Sequence, residues 1–292
     1  MLNILISVNT MDNLSGSCVS TFTNAIEFKK QGHTVSVVCL NGHWVDNALK
    51  QNLEKADIKC LYDHQLEDKY DVIYCSEWCP DVDGVKIQTV RSEFDCESPI
   101  ANMDFYVCIR PQIQEHIVKE HDIPAEKTTV IFNGVDRDKF KKIEKTKRDY
   151  LRIVAPCTID NLRRRFLNSI ITEINAAKGK MRMDIYSYDF GIELIKSPYV
   201  QVLEPKFDIE KEIADCDMVV GILLGRINLE ANSCGVPSLI YDPRTLKKEK
   251  FFLTEKTFSA LHDIKNVCKY LLEVYWEILN KATDEPASSD KK

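Results

Sequence analysis

The residues of this chain best suited to chemistry stand in one run, Gly225-Arg226-Ile227-Asn228-Leu229-Glu230-Ala231-Asn232-Ser233-Cys234-Gly235-Val236-Pro237. An apolar stretch at 218–222 reads as a buried strand, and a short loop (223–226) leads from it into a segment that Gly235 and Pro237 stop. A helix starting there turns free N–H groups and a positive dipole end outward, a complement for phosphate. The place is also right, because ligands of open α/β sheets bind at the carboxyl ends of strands. Glu230 is expected in the first turn of this helix. Its carboxylate there either accepts hydrogen bonds from ribose hydroxyls or serves only as an acid complementing the dipole.

The elements that must position these residues follow one repeated pattern. A strand at 3–8, a polar loop, a helix at 19–30, Gly32 and a strand at 34–40 make a βαβ unit of a parallel sheet. Short strands at 58–61, 71–75, 86–90 and 105–109 follow, then a helix at 111–120 and a turn at Asn133-Gly134. The charged run 139–148 reads as a linker. Beyond it the pattern restarts: strand 151–155, helix 162–177, strands 181–186 and 200–203, helix 209–214, strand 218–222, a short helix around 229–233 and strand 238–241. A long amphipathic helix is expected over about 261–280. The fold class is α/β, with two Rossmann-like doubly wound parallel-sheet domains at 1–148 and 149–281 and a disordered polar tail at 282–292. A chain of 292 residues with 44% hydrophobic content can supply both cores.

Composition narrows the partners. A formal charge of −6 argues against a general nucleic-acid coat, and the basic clusters at 141–148, 163–165 and 247–250 read as solvated surface. The eleven cysteines are scattered in apolar runs without a Cys-x-x-Cys pair, as expected for reduced thiols in the cytoplasm. No apolar run is long enough for a transmembrane segment, and no secretory signal is visible. No metal is implied. Cys75 and Cys79 lack a second ligand pair, and the Asp-x-Asp strings at Asp81/Asp83, Asp136/Asp138 and Asp215/Asp217 read as turns or a helix-to-strand step. No Gly-x-Gly-x-x-Gly follows the first strand of either half, which disfavours a nicotinamide-dependent oxidoreductase.

Local signatures separate the remaining readings of two α/β domains. Gly16 in the first loop is followed by Gly32-His33-Thr34-Val35, and later come Pro124 to Val130, Ile131-Phe132-Asn133-Gly134-Val135-Asp136 and Phe140. With the Leu-Glu-Ala-x-x-Cys-Gly-x-Pro run from Leu229 to Pro237, these resemble, in order, the motifs of the retaining family-four glycosyltransferases of GT-B architecture. The resemblance implies that Gly225, Arg226, Asn228, Leu229 and Glu230 face a nucleotide-diphosphate sugar, with Glu230 on the ribose. The family places an Arg and a Lys after the first strand of the second domain. Here Arg163 or Arg164 is suited to hold phosphate oxygens as the leaving group gains charge. In the acceptor domain Arg91 stands where the family commonly has His, and Glu93 or Asp95 can meet an acceptor hydroxyl. Gly16 would let backbone N–H groups approach a phosphate or the acceptor. Two departures point to a distinct donor or acceptor: Ile222 replaces the first Glu of the family's Glu-x7-Glu pair, and the usual Gly-Arg pair is absent.

The resemblance therefore implies a metal-independent glycosyltransferase without a separate cofactor, using a UDP- or GDP-sugar and retaining the anomeric configuration. Its acceptor would be bound in a cleft between the domains, with closure about 141–148 excluding water. The acceptor is a glycan, lipid-linked sugar, protein, small molecule or modified nucleic-acid base. Two other readings remain. One is a nucleotide-sugar-binding protein with impaired catalysis, from the missing Glu. The other is a nucleotide-sugar epimerase, against which the lack of paired acid and base residues counts.

Overall fold

A computed structural model describes residues 1–40, 44–45, 47–92, 98–188, 191–222, 224–242, 245 and 247–284. The chain forms two compact units, one of 1–13, 17–134 and 264–292, the other of 14–16 and 135–263.

In the first unit the strands are β1 (Asn3–Val8), β2 (Thr34–Cys39), β3 (Lys59–Leu61), β4 (Lys69–Cys75), β5 (Asp83–Val90), β6 (Phe105–Cys108) and β7 (Thr128–Val130). They build a seven-stranded sheet in the order β3-β2-β1-β4-β5-β6-β7, parallel throughout. Its helices are α1 (Gly16–Lys30), α2 (Ala48–Lys55), α3 (Pro111–Glu120) and, from the far end of the chain, α8 (Ile264–Asp284). Local chemistry starts two of them. Asn47 accepts hydrogen bonds from the N–H groups of Leu49 and Lys50 at the head of α2, and Pro111 occupies the first position of α3. On α3, Ile113 and Ile117 are four apart and bury against Leu5, Ile73, Val90 and Cys108 of the sheet.

The second unit contains β8 (Leu151–Pro156), β9 (Met181–Tyr186), β10 (Val200–Leu203), β11 (Met218–Ile222), β12 (Ser238–Tyr241) and β13 (Lys248–Phe251). The order is β10-β9-β8-β11-β12-β13, parallel except for β13, which runs antiparallel to β12. Helices α4 (Asn161–Ala176), α5 (Glu210–Ala214), α6 (Arg226–Ser233) and α7 (Glu255–His262) complete it. Alternate residues of β8 face opposite cores. Ile153 and Ala155 meet Phe166, Ile170 and Ile174 of α4, while Val154 joins Val219, Leu229 and Phe258.

The domain boundaries differ from those expected at 148 and 281. Residues 135–148 belong with the second unit because Val135 and Phe140 are buried in its core, the Val135 N–H donates to the His262 carbonyl at 2.8 Å, and Arg148 pairs with Asp215. The helix expected over 261–280 is two helices, and α8 belongs with the first unit. Tyr275 lies 6.0 Å from the Phe28 ring and 6.1 Å from that of Tyr74, between ring centroids. Of the tail expected at 282–292, residues 282–284 continue α8 and 285–292 lie outside the described residues. The basic cluster at 247–250 is solvent-exposed, as expected, and Lys248, Glu249 and Lys250 lie on an edge strand, where charge discourages further strand pairing.

Leu271 on α8 is 1% exposed. Leu271→Ala should therefore destabilise the first unit by about 3 kcal/mol, the usual cost of a buried Leu→Ala cavity, in urea unfolding followed by circular dichroism. Tyr275→Phe should be neutral or slightly stabilising, because the buried Tyr275 hydroxyl has no hydrogen-bond partner among the described residues. An unchanged midpoint for Leu271→Ala would contradict this placement of α8.

Candidate functional site

In the second sheet β8 lies between β9 and β11, so the strand order reverses there. The loops after β8 and β11 leave the sheet on opposite sides of that switch point, the position at which open α/β sheets bind ligands. The loop after β8 leads into α4, with Arg163 and Arg164, and the loop after β11 leads into α6, with Arg226 and Glu230.

The start of α6 is set by a side chain inside the helix. Gly225 caps it in an extended conformation, and its N–H donates to Asn228 Oδ1 at 3.1 Å. Asn228 is fully buried, over Gly221 of β11, where an added Cβ would lie 3.0 Å from Oδ1. Only glycine allows that approach without displacement. The helix thus begins at Arg226, and Glu230 falls in its second turn, not in the first as the sequence suggests. Gly235, at φ +71, ends it in the left-handed conformation expected of a helix stop.

One turn separates Arg226 from Glu230, and Arg226 Nε donates to Glu230 Oε1 at 2.6 Å. Both side chains are buried, with 7% and 5% exposure. Burial raises the Glu230 carboxyl above the usual carboxylate range, and the positive charge of Arg226 opposes that rise. Lys139 and Glu210 extend the charge cluster, their charged atoms 3.6 Å apart, with Glu210 Oε2 buried and accepting no hydrogen bond. Lys139 Nζ donates to the Phe207 carbonyl at 3.0 Å and lies 4.2 Å from the centre of the Phe207 ring. Neither residue carried a signal in sequence, since Lys139 lay in the presumed linker and Glu210 in an unremarkable helix. Leu229 is a core residue, packed with Val154, Val219 and Phe258.

After β8, Asp160 caps α4 by accepting from the Arg163 N–H at 2.7 Å, and the Arg163 guanidinium folds back onto the same carboxylate. Arg164 is exposed. The magnitudes rank these ion pairs. A half-exposed pair such as Arg163–Asp160 contributes about 0–1 kcal/mol, whereas breaking a buried pair such as Arg226–Glu230 costs about 3–5 kcal/mol. Arg163 can therefore leave its partner at small cost, and Arg226 cannot.

Gly16 is the first residue of α1, and a Cβ there would have open space, so no close approach demands glycine. Arg91 follows β5 in the first unit and donates through Nη2 to Thr21 Oγ1 at 3.2 Å. Glu93 and Asp95 lie outside the described residues. Three of the Asp-x-Asp acids have structural partners: Asp215 pairs with Arg148, Asp217 accepts from the Arg152 N–H at 2.8 Å, and Asp136 accepts from the Asp138 N–H at 2.9 Å. Among the described residues no group of three or more His, Cys, Asp or Glu side chains is placed to hold a metal ion. No described helix is long and apolar enough to cross a membrane.

No protein-family model and no curated protein matches the chain. Solved structures do. A glycosyltransferase from Rickettsia africae superposes with a TM-score of 0.69 at 14% identity, covering 94% of this chain and 98% of its own. HepE from Anabaena, solved in complex with UDP and glucose, gives 0.68 at 14% identity, covering 94% and 99%. This is the GT-B fold. It is not confined to one chemistry: the UDP-GlcNAc 2-epimerase of Neisseria meningitidis, bound to UDP-GlcNAc, shares it at a TM-score of 0.54 and 13% identity, covering 95% and 92%.

Removing the arginine isolates the carboxylate. Arg226→Met should destabilise the second unit by about 3 kcal/mol at neutral pH, the lower end of the range for a broken buried pair. Without Arg226, the folded-state pKa of Glu230 rises further above its unfolded value. The loss should therefore shrink as pH falls through that raised pKa and the carboxyl becomes neutral, and be greatest above it. Denaturant unfolding at pH 5 and pH 8 reads this out, and a pH-independent loss would contradict it.

Proposed function

We propose that this protein is a glycosyltransferase that moves a sugar from a nucleotide-diphosphate donor, a UDP- or GDP-sugar, to an acceptor. The observation that carries the reading is the buried Arg226–Glu230 pair on a helix beginning at the switch point, within a fold shared with proteins solved with UDP. In this reading the donor diphosphate rests at the amino end of α6, where Gly225 and the first helical N–H groups meet it. Glu230 takes the ribose hydroxyls, while Asn228 and Leu229 hold the helix start from within.

As the sugar–phosphate bond breaks, negative charge gathers on the leaving diphosphate. Arg163, released from Asp160, or the exposed Arg164 neutralises it, and Arg226 adds positive charge near the helix start. Helix dipole and arginines together supply the charge that a metal provides elsewhere, so the reading assigns no metal. Retention of the anomeric configuration is assigned from the motif resemblance. The acceptor side is assigned to the first unit, with Arg91 and Glu93 as contacts, and Gly16 at the start of α1 is a further candidate contact. A cytoplasmic location is proposed from the ten described cysteines, all free thiols.

Thermal-shift titration with UDP, GDP and their sugars tests the donor class. UDP or GDP should raise the melting temperature, and Glu230→Gln should weaken the preferred nucleotide about tenfold, the worth of a hydrogen bond to a charged group. Donor turnover then separates the chemistries, with transfer or slow hydrolysis expected of this enzyme. Sugar epimerisation without an acceptor would favour the epimerase instead, and binding without turnover the impaired binder. Absence of stabilisation by every nucleotide would overturn the proposal.

A further inference from the structure

In the first unit β5, β6 and β7 end side by side, and the residues just beyond them close a small, partly open pocket with α1 and α8. Arg91 lies in its wall beside Ser20, Asn24, Tyr74, Thr89 and Asn133. Among the described residues the Arg91 guanidinium makes one hydrogen bond, from Nη2 to Thr21 Oγ1 at 3.2 Å, while the buried Nε and Nη1 find no acceptor. Three other arginines with little exposure are treated differently. Arg148, Arg152 and Arg226 each pair with a carboxylate, and among the described residues no carboxylate pairs with Arg91.

A guanidinium cannot lose its proton to escape burial, so a buried one needs an anion or a full set of acceptors. Nη1 stands on the Cδ side of the group, so Nε and Nη1 lie on different edges, and each can donate to an oxygen of a phosphate or carboxylate. We propose that Arg91 is the anchor of an oxyanion site in the first unit, its charge and its unpaired N–H groups taking a phosphate or carboxylate group. Buried Asn24 donates to the Tyr74 hydroxyl at 3.3 Å, which ties α1 to β4 and keeps this wall polar. The site lies at the carboxyl end of the sheet, where open α/β sheets bind ligands. Under the proposed transferase reading the anion belongs to the acceptor, making it a phosphorylated or carboxylated molecule; the alternative source is the donor's own diphosphate.

Calorimetric titration of the full chain with inorganic phosphate, with and without saturating UDP, tests this, using wild type, Arg91→Gln, Arg91→Lys and Glu230→Gln. Phosphate should bind the wild type, at least tenfold more weakly after Arg91→Gln, and with an intermediate loss after Arg91→Lys, which keeps the charge but not the planar set of N–H donors. Arg91→Lys also keeps the test open should the neutral variant fail to fold. If the acceptor supplies the anion, phosphate still binds the UDP-saturated protein, and UDP affinity is unchanged by Arg91→Gln. If the donor supplies it, UDP competes with phosphate and Arg91→Gln weakens both. Phosphate affinity that is absent, or indifferent to Arg91→Gln and Arg91→Lys, overturns the site. The transferase reading fails separately, through loss of UDP binding or its indifference to Glu230→Gln.

Discussion

A carboxylate inside a protein needs a positive partner, and in the second unit Arg226 meets that need for Glu230. The pair lies on consecutive turns of α6, so its geometry requires the helix to start at Arg226. The helix starts there because the Asn228 side chain holds the Gly225 N–H, and Asn228 fits because β11 carries glycine at position 221. β11 in turn is placed beside β8 by register, Met218 against Ile153 and Val219 against Val154. Each step depends on the one beneath it. A methyl group at Gly221 would be felt at Glu230.

Charge is used in a second way at the other end of the same sheet. Arg152 on β8 donates to Asp184 of β9 at 2.8 Å and to Glu212 of α5 at 2.6 Å, while Asp215 also holds Arg148. Burial raises the cost of charging Glu212, but Lys206 and Arg152 outweigh it and hold its carboxyl below the ordinary range. At Glu230 the balance is reversed, burial prevails, and the carboxyl titrates high. One network is satisfied in several directions and serves the fold. The other is the Arg226–Glu230 pair, flanked by Lys139 and Glu210, with a carboxylate that burial makes uncommonly basic, the feature to be expected of a group that awaits a ligand.

Much of this was legible in the chain, for local reasons. Short apolar runs bounded by turns located β9, β10, β11 and β12 with the same bounds that the structure has; for β9 and β11 this is because buried parallel strands read as nearly continuous apolar segments. The α6 start was misread because its cap is glycine, with Asn228 supplying the oxygen from inside the helix, and not a Ser, Thr or Asp ahead of it. The edge strand β13 was hidden by its lysines. What no local pattern carries is the return of α8 to the first unit, which rests on contacts such as Tyr275 with Phe28. Lys139 and Glu210 were equally hidden, since their proximity is created by folding alone.

The central claim is that Glu230, held by Arg226 at the head of α6, receives the ribose of a nucleotide. A crystal structure of the protein with UDP tests it most directly. The account predicts ribose hydroxyls within hydrogen-bond distance of Glu230 and phosphates at the amino end of α6. Nucleotide bound at any other place in the second unit, with no contact to Glu230, would contradict it.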